Sequence, residues 1–300
     1  MNIRYGKIFH YPRQIVKKVL VILYPLIIII WPLPKVLSIE ATIKDILKNK
    51  KSIVRFGDGE FLFLIDKLNL PFQKYNDKLA DDFKKILKSD EPNILVGLPI
   101  GYYSLENLTK ESILTWKSQI AWIYPRLKKF LNLNKTYANA SMTRIYIDFV
   151  DKNKSAYYFT LIREIWDGSN ILLIEGEKSR LGAGNDLFVN ANSVKRILGP
   201  YHNSYNKYNE LLAEALKYSK DHLVLIAMGP TAKPLAYELS LRGYQAIDIG
   251  NLDIEYEWYL RGANEKIKIP NKYTSEASGG RIVDDINDEL YFNQIVAKYL

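Results

Sequence analysis

The chain has no cysteine, which removes any disulfide framework and any thiolate-bound metal. It has three histidines, His10, His202 and His222. They are far apart and form no HExxH, so a zinc hydrolase lacks its ligand set. There is no GxSxG serine elbow and no GxxxxGK[ST] phosphate loop. No GxGxxG follows a strand pattern, although Gly182 and Gly184 supply a GxG. Acids are outnumbered, 33 against 42 Lys and Arg, for a net charge of +9. Yet no long basic run occurs, and the clusters are small, as at Lys17-Lys18, Lys84-Lys85 and Lys128-Lys129. The excess charge therefore points to a phosphate-bearing substrate or an acidic membrane surface, and nucleic-acid binding is not expected.

One long apolar run is present. Val19 to Leu33 reads VLVILYPLIIIIWPL behind Arg13, Lys17 and Lys18. No small-residue cleavage site follows it. It is shorter than the roughly 20 residues that span a bilayer, and Pro25 and Pro32 interrupt it. Tyr24 and Trp31 suit a headgroup level. The expectation is a helix lying in the membrane interface through residues 15–34, which puts the protein on the cytoplasmic face of the membrane; a buried core helix and a true short span are the alternatives. The division expected is a membrane-associating segment, residues 1–37, and one catalytic domain, 38–300.

From Ser38 onward strand and helix patterns alternate. Helices are expected from Ser38 to Asn49, from Phe61, over 77–88, 110–133 with a break at Pro125, 157–166, 205–219, up to Leu241 and over 288–300. Strands are expected at 51–57, 93–99, 170–175, 193–198, 222–228 and in the run that begins at Ala246. Asn170-Ile-Leu-Leu-Ile-Glu175 is apolar without alternation, as in a parallel strand covered on both faces. The pattern predicts an α/β, Rossmann-like fold: a mainly parallel sheet with helices on both faces, plus the N-terminal hydrophobic helix.

Chemistry concentrates where strands hand over to helices, the place where open parallel sheets bind ligands. Asp253 and Glu255 stand one residue apart at such a joint and can be aimed at one hard cation; equally, they are acids favoured by a helix's first turn. Asp58-Gly-Glu60 repeats the spacing behind Arg55, with Gly57 and Gly59 allowing close backbone approach. The loop Glu175-Gly-Glu-Lys-Ser-Arg-Leu-Gly-Ala-Gly-Asn-Asp186 is a poor folding element and a good ligand loop. In it Lys178 and Arg180 can meet phosphates, and Glu177 or Asp186 can act as a base. Gly229-Pro230-Thr231 opens a helix whose free amides suit phosphate. An extended polar stretch ends at Arg144.

Arg55-Phe-Gly-Asp-Gly-Glu60, the 175–188 loop, Gly229-Pro-Thr231 and Asp248-Ile-Gly-Asn-Leu-Asp-Ile-Glu-Tyr-Glu-Trp258 occur in one order. Together they resemble the bacterial glycosyltransferases of the GT-D fold over roughly residues 38–280. The resemblance implies a UDP-sugar donor and a divalent metal, Mn²⁺ or Mg²⁺, bound through an Asp-X-Glu motif. Of the two such motifs, Asp253 and Glu255 are taken as the metal pair. Asp58, Glu60, Glu177 and Asp186 are then the candidate catalytic carboxylates. Arg55, Gly57, Gly59, Arg144, Lys178, Arg180, Gly182, Gly184, Asn185, Gly229, Pro230 and Thr231 are the candidate nucleotide-sugar contacts. The implied reaction moves a hexose to a glycan, glycoprotein or lipid-linked acceptor of the bacterial surface. A metal-dependent phosphohydrolase and a non-catalytic nucleotide-binding subunit are the rival readings.

Overall fold

The computed structural model describes residues 10–300. A helix α1 (His10–Ile30) leads into a sheet of nine strands: β1 (Lys35–Val36), β2 (Ser52–Arg55), β3 (Ile94–Leu98), β4 (Thr136–Asn139), β5 (Asn170–Gly176), β6 (Ser193–Gly199), β7 (His222–Ala227), β8 (Ala246–Asp248) and β9 (Ile295–Lys298). Every pairing is parallel, in the order β1-β4-β3-β2-β8-β7-β5-β6-β9. This is the Rossmann-like architecture expected.

Alternation along each strand builds two cores. Val54, Leu172, Ile174, Val224 and Ile226 face one way, with α3 (Asp58–Asp66), α4 (Asp77–Lys88), α5 (Lys110–Leu127), α7 (Tyr208–Ala215) and α8 (Ala232–Leu241) packed over them. Ile53, Ile171, Leu173, Leu225 and Ile247 face the other way, under α2 (Ile39–Asn49), α6 (Asn153–Arg163) and α9 (Leu252–Leu260). Successive strand side chains point to opposite faces, so an apolar run is what a strand sandwiched between helix layers requires. Trimming one of these buried Leu or Ile side chains to Ala would cost about 2–5 kcal/mol.

The helix limits follow local chemistry. The hydroxyl of Ser38 accepts from the amide of Ala41 and starts α2, as an N-cap residue should. Asn76 and Thr109 cap α4 and α5 in the same way.

Several expected elements differ. The stretch expected to be extended, 136–144, contributes a fourth strand, β4, because Tyr137 is fully buried on the sheet. Pro25 and Pro125 sit inside continuous helices, and α5 ends at Leu127. The expected last helix, 288–300, divides into a short α10 (Glu289–Asn293) and the edge strand β9. Its β-branched and alternating sequence, Ile295-Val-Ala-Lys298, pairs with β6, and strand pairing there overrides helix propensity.

Candidate active site

β2 and β8 are neighbours, but the chain leaves β2 toward β3 and crosses from β8 to β9 at the far edge. Adjacent strands whose connections depart in opposite directions open a crevice at their carboxyl ends. Four charged side chains meet there. Arg55 closes β2, and its guanidinium grips Asp248 at the end of β8, with Nη2 to Oδ1 at 2.9 Å and Nε to the main-chain oxygen at 2.6 Å. Its other arm donates to the hydroxyl of Thr143 and the carbonyl of Ala140 beyond β4. Lys233, in the first turn of α8, lies 3.4 Å from Asp248 and 3.0 Å from Glu60. Asp248 is buried. Burial alone would raise its pKa, but Arg55 and then Lys233 hold it below the ordinary range. Gly250, at φ +46°, lies so close under the Arg55 guanidinium that a side chain there would collide with it.

In front of Asp248 stand Asp58 and Glu60, both half-buried. Glu60 folds back to accept the amide of Gly57 at 3.0 Å, so Gly57 serves as an N-cap in extended backbone rather than as a positive-φ turn. Gly59 follows in the first turn of α3. Asp58 accepts from Gln119 of α5 at 2.8 Å. Burial, and then the charge of Glu60, push its pKa up.

Asp253 and Glu255 have separate environments. Both are buried. Asp253 accepts from the amide of Gly182 at 2.9 Å and from Asn185 at 2.8 Å, and pairs with Lys272 at 2.7 Å. Glu255 turns to the other side of α9 and accepts the amides of Tyr146 and Ile147, each at 3.1 Å. Its second oxygen has no hydrogen-bond partner; the nearest cation, Arg144, is 4.0 Å away. Desolvation raises the pKa of Glu255 to about 7, with Arg144 opposing. Residues two apart on a helix do not face each other, so these carboxylates do not converge on one ion as α9 stands. The pair expected to hold the metal is thus divided between two faces of α9.

The glycine-rich loop is fastened down. Gly182 and Gly184 take φ +73° and +74°, and Gly182 and Asn185 bind Asp253 as described. Asn185 also donates to Glu257. Arg180 is buried, its Nη1 donating to the carbonyls of Asn271 and Asp284, so it holds the C-terminal segment, and it lines a cavity with Glu177 and Tyr291. Asp186 is tied to Tyr256 at 2.7 Å and to Arg163; the Tyr256 hydroxyl chiefly holds its pKa low, which makes it a poor base. Glu177 and Lys178 remain half-exposed. Lys178 lies over the Tyr201 ring at 4.4 Å, and Tyr201, His202 and Tyr273 form an aromatic group beside it. Arg144 makes a bidentate pair with Glu276, which also binds Lys266 and Asn251.

At Gly229-Pro230-Thr231 the amide of Thr231 is used by the Met228 carbonyl and that of Ala232 by the turn. The Thr231 hydroxyl meets Ser204 in the interior. This helix start offers fewer free amides than expected, and its contribution to the crevice is Lys233.

A sequence profile for the glycosyltransferase GT-D fold matches residues 53–277. The chain belongs to the GT-D glycosyltransferase family. Glycosyltransferase GlyD of Streptococcus pneumoniae serotype 4 is 37% identical over 89% of this chain. The probable glycosyl transferase Gly of Streptococcus gordonii is 36% identical over 87%. The chain spans only 33% and 38% of the lengths of these two relatives. Among solved structures, one described as the highly conserved domain of unknown function 1792, with a distinct glycosyltransferase fold, superposes with a TM-score of 0.82 at 38% identity, covering 95% of this chain and 98% of that one. A new glycosyltransferase from Streptococcus sanguinis gives 0.84 at 34% identity, covering 89% and 100%.

This GT-D chain carries functional candidates that the sequence reading passed over: Asp248, Lys233, Gln119, Lys272 and Glu276. Asp248 closes an apolar strand beside a strand-end arginine, and a buried acid there needs such a partner; that was the available signal. Lys272 and Glu276 lie in an irregular polar segment with no pattern to mark them. No group of three or more acids or histidines able to hold a metal occurs among the described residues.

Proposed function

We propose that the chain transfers a hexose from a UDP-sugar to a glycan or glycoconjugate acceptor, with a divalent cation, Mn²⁺ or Mg²⁺, at Asp58 and Glu60. The observation that carries this reading is the half-buried Asp58–Glu60 pair at the β2/β8 crevice. Two carboxylates near enough for one to raise the other's proton affinity are relieved by a hard cation, and such ions are often held by one or two carboxylates plus substrate phosphates. Asp253 and Glu255 turn to opposite sides of α9, and Asp253 is paired with Lys272; this favours Asp58 and Glu60, of which Glu60 also pairs with Lys233. When bound, the cation supplies charge neutralisation for the leaving diphosphate.

The protein's own groups do the rest. Lys233, Asp248 and Arg55 form a rigid charged wall behind the pair, and their mutual bonds keep it pre-oriented. Lys178 with Tyr201, His202 and Tyr273 gathers a cation and π-faces over the ends of β5 and β6, chemistry suited to a nucleotide's phosphate and base. β5 and β2 are three strand spacings apart, about 14 Å, the reach of an extended nucleotide sugar. This spacing supports a base over β5 and β6 and a reacting sugar over β2 and β8.

Transfer from UDP-glucose and other UDP-hexoses, assayed with and without Mn²⁺ and with and without acceptor, tests this reading. Asp58→Asn and Glu60→Gln are expected to lower turnover about 10²–10³-fold while UDP binding by calorimetry in EDTA persists. Lys178→Ala with Tyr201→Ala is expected to weaken UDP binding itself. Full metal-stimulated turnover in the Asp58 and Glu60 variants would overturn the assignment.

A further inference from the structure

The helix α1 is apolar on both sides. Lys17, Leu20, Val21, Tyr24, Ile27, Ile28 and Trp31 are half-buried, and this stripe lies against α5. The opposite side carries Ile15, Val19, Ile22, Leu26 and Ile29, exposed by 58%, 47%, 76%, 54% and 75%, with Val16, Leu23 and Ile30 alongside. An exposed apolar ridge of this length exceeds what monomeric soluble proteins ordinarily show and marks an interaction surface. Among the described residues no helix is long and apolar enough to cross a membrane.

Cations flank α1 at both ends, most of them on the side that faces α5. Lys17 bonds Thr115 of α5 and Lys18 is exposed at the N-terminal end. Lys128 lies over Trp31 at 5.1 Å at the other end, and Lys117 lies over Tyr24 at 5.8 Å between them. On α5 itself Trp122 is 52% exposed, with Arg126 over its ring at 4.7 Å. The α1 sequence contains no Asp or Glu. Apolar side chains with lysines and tryptophans at their margin are the chemistry of a helix lying in an acidic lipid interface. A second copy fits less well: with cations at both ends, parallel or antiparallel apposition of two α1 helices sets like charges against each other.

We infer that α1 docks flat on an anionic lipid surface, its Ile15–Ile30 ridge in the acyl boundary and its lysines among the headgroups. This docking is independent of what the crevice transfers. It holds the candidate site close to the bilayer, because Gln119 of the underlying α5 touches Asp58.

The full chain is mixed with phosphatidylcholine vesicles and with vesicles containing phosphatidylglycerol, and bound protein is measured by flotation. Binding is expected to the anionic vesicles and to weaken with salt. Ile22→Glu with Ile29→Glu, at positions too exposed to disturb folding, is expected to lower the partition at least about tenfold. Lys18→Gln with Lys128→Gln is expected to lower it about 25-fold, about fivefold per lysine, on anionic vesicles only. Equal flotation of the glutamate variant and the parent would overturn the inference. So would a concentration-dependent dimer in solution that this variant abolishes, with no vesicle binding by the parent, which would assign the ridge to a second copy.

Discussion

Glu255 offers a direct measurement of what its burial does. It is fully buried, with two amides on one oxygen and none on the other. Desolvation dominates and raises its pKa to about 7, against the pull of Arg144. In the unfolded chain a glutamate titrates near 4.3. Between those values the folded state keeps a proton that the unfolded state has released. Unfolding therefore releases a proton, and the stability contributed by this group falls as pH rises from about 4 to about 7, then levels off. The size of the full fall is about 4 kcal/mol. Glu255→Gln keeps the shape and the acceptor for the two amides but cannot ionise. Urea unfolding of both proteins at pH 5, 6, 7 and 8 isolates the effect, because other titrating groups cancel in the difference. Between pH 5 and pH 8 the variant is expected to gain about 2.5 kcal/mol over the parent. Adding Mn²⁺ is expected to leave that difference unchanged, since an ion bound to Glu255 would keep it ionised and remove the pH dependence. A gap that stays constant with pH, or that opens in favour of the parent, would refute the reasoning.

Three further outcomes follow from the buried charges. Asp248→Asn leaves Arg55 and Lys233 facing an uncharged amide and is expected to cost about 3–5 kcal/mol in urea unfolding; a loss below 1 kcal/mol would show that the quartet is solvated. Lys272→Met strands Asp253 and Glu257 and is expected to cost a similar amount while raising amide hydrogen exchange in residues 176–186; unchanged exchange there would mean that the loop is held without Asp253. Gly250→Ala combines a positive φ with a collision at Arg55 and is expected to destabilise the fold by about 1–3 kcal/mol, seen as a lower melting temperature.

The sheet was legible because its strands are apolar on both faces. Ile171 to Ile174 admits hardly any other reading, and the buried residues on either side of the sheet alternate as that reading requires. The short edge strands were not legible. β1 has two residues and β4 four, too few for a period to appear, and Ile295–Lys298 becomes a strand only through its partner β6. Prolines misled for a similar reason. Pro125 lies in the last turn of α5, and packing of Ile120, Ile123, Tyr124 and Leu127 into the core outweighs the hydrogen bond that a proline removes.

The site was legible as a set of positions but not as a set of roles. A strand-end acid near a glycine loop looks the same in sequence whether it binds a ligand or fastens a loop. Geometry separates the two Asp-X-Glu motifs. In α9 the spacing sends Asp253 toward Gly182 and Asn185 and Glu255 toward Tyr146 and Ile147, so one helix holds two loops from opposite sides. In α3 the same spacing begins at the first helical residue, and Glu60 folds back over the open end to the amide of Gly57. That return brings its charge within reach of Asp58 and frees the pair from the rule that positions two apart diverge. The feature that separates the geometry of the two motifs is therefore the backbone amide at the helix start, which captures the second carboxylate in α3 and has no counterpart at Glu255.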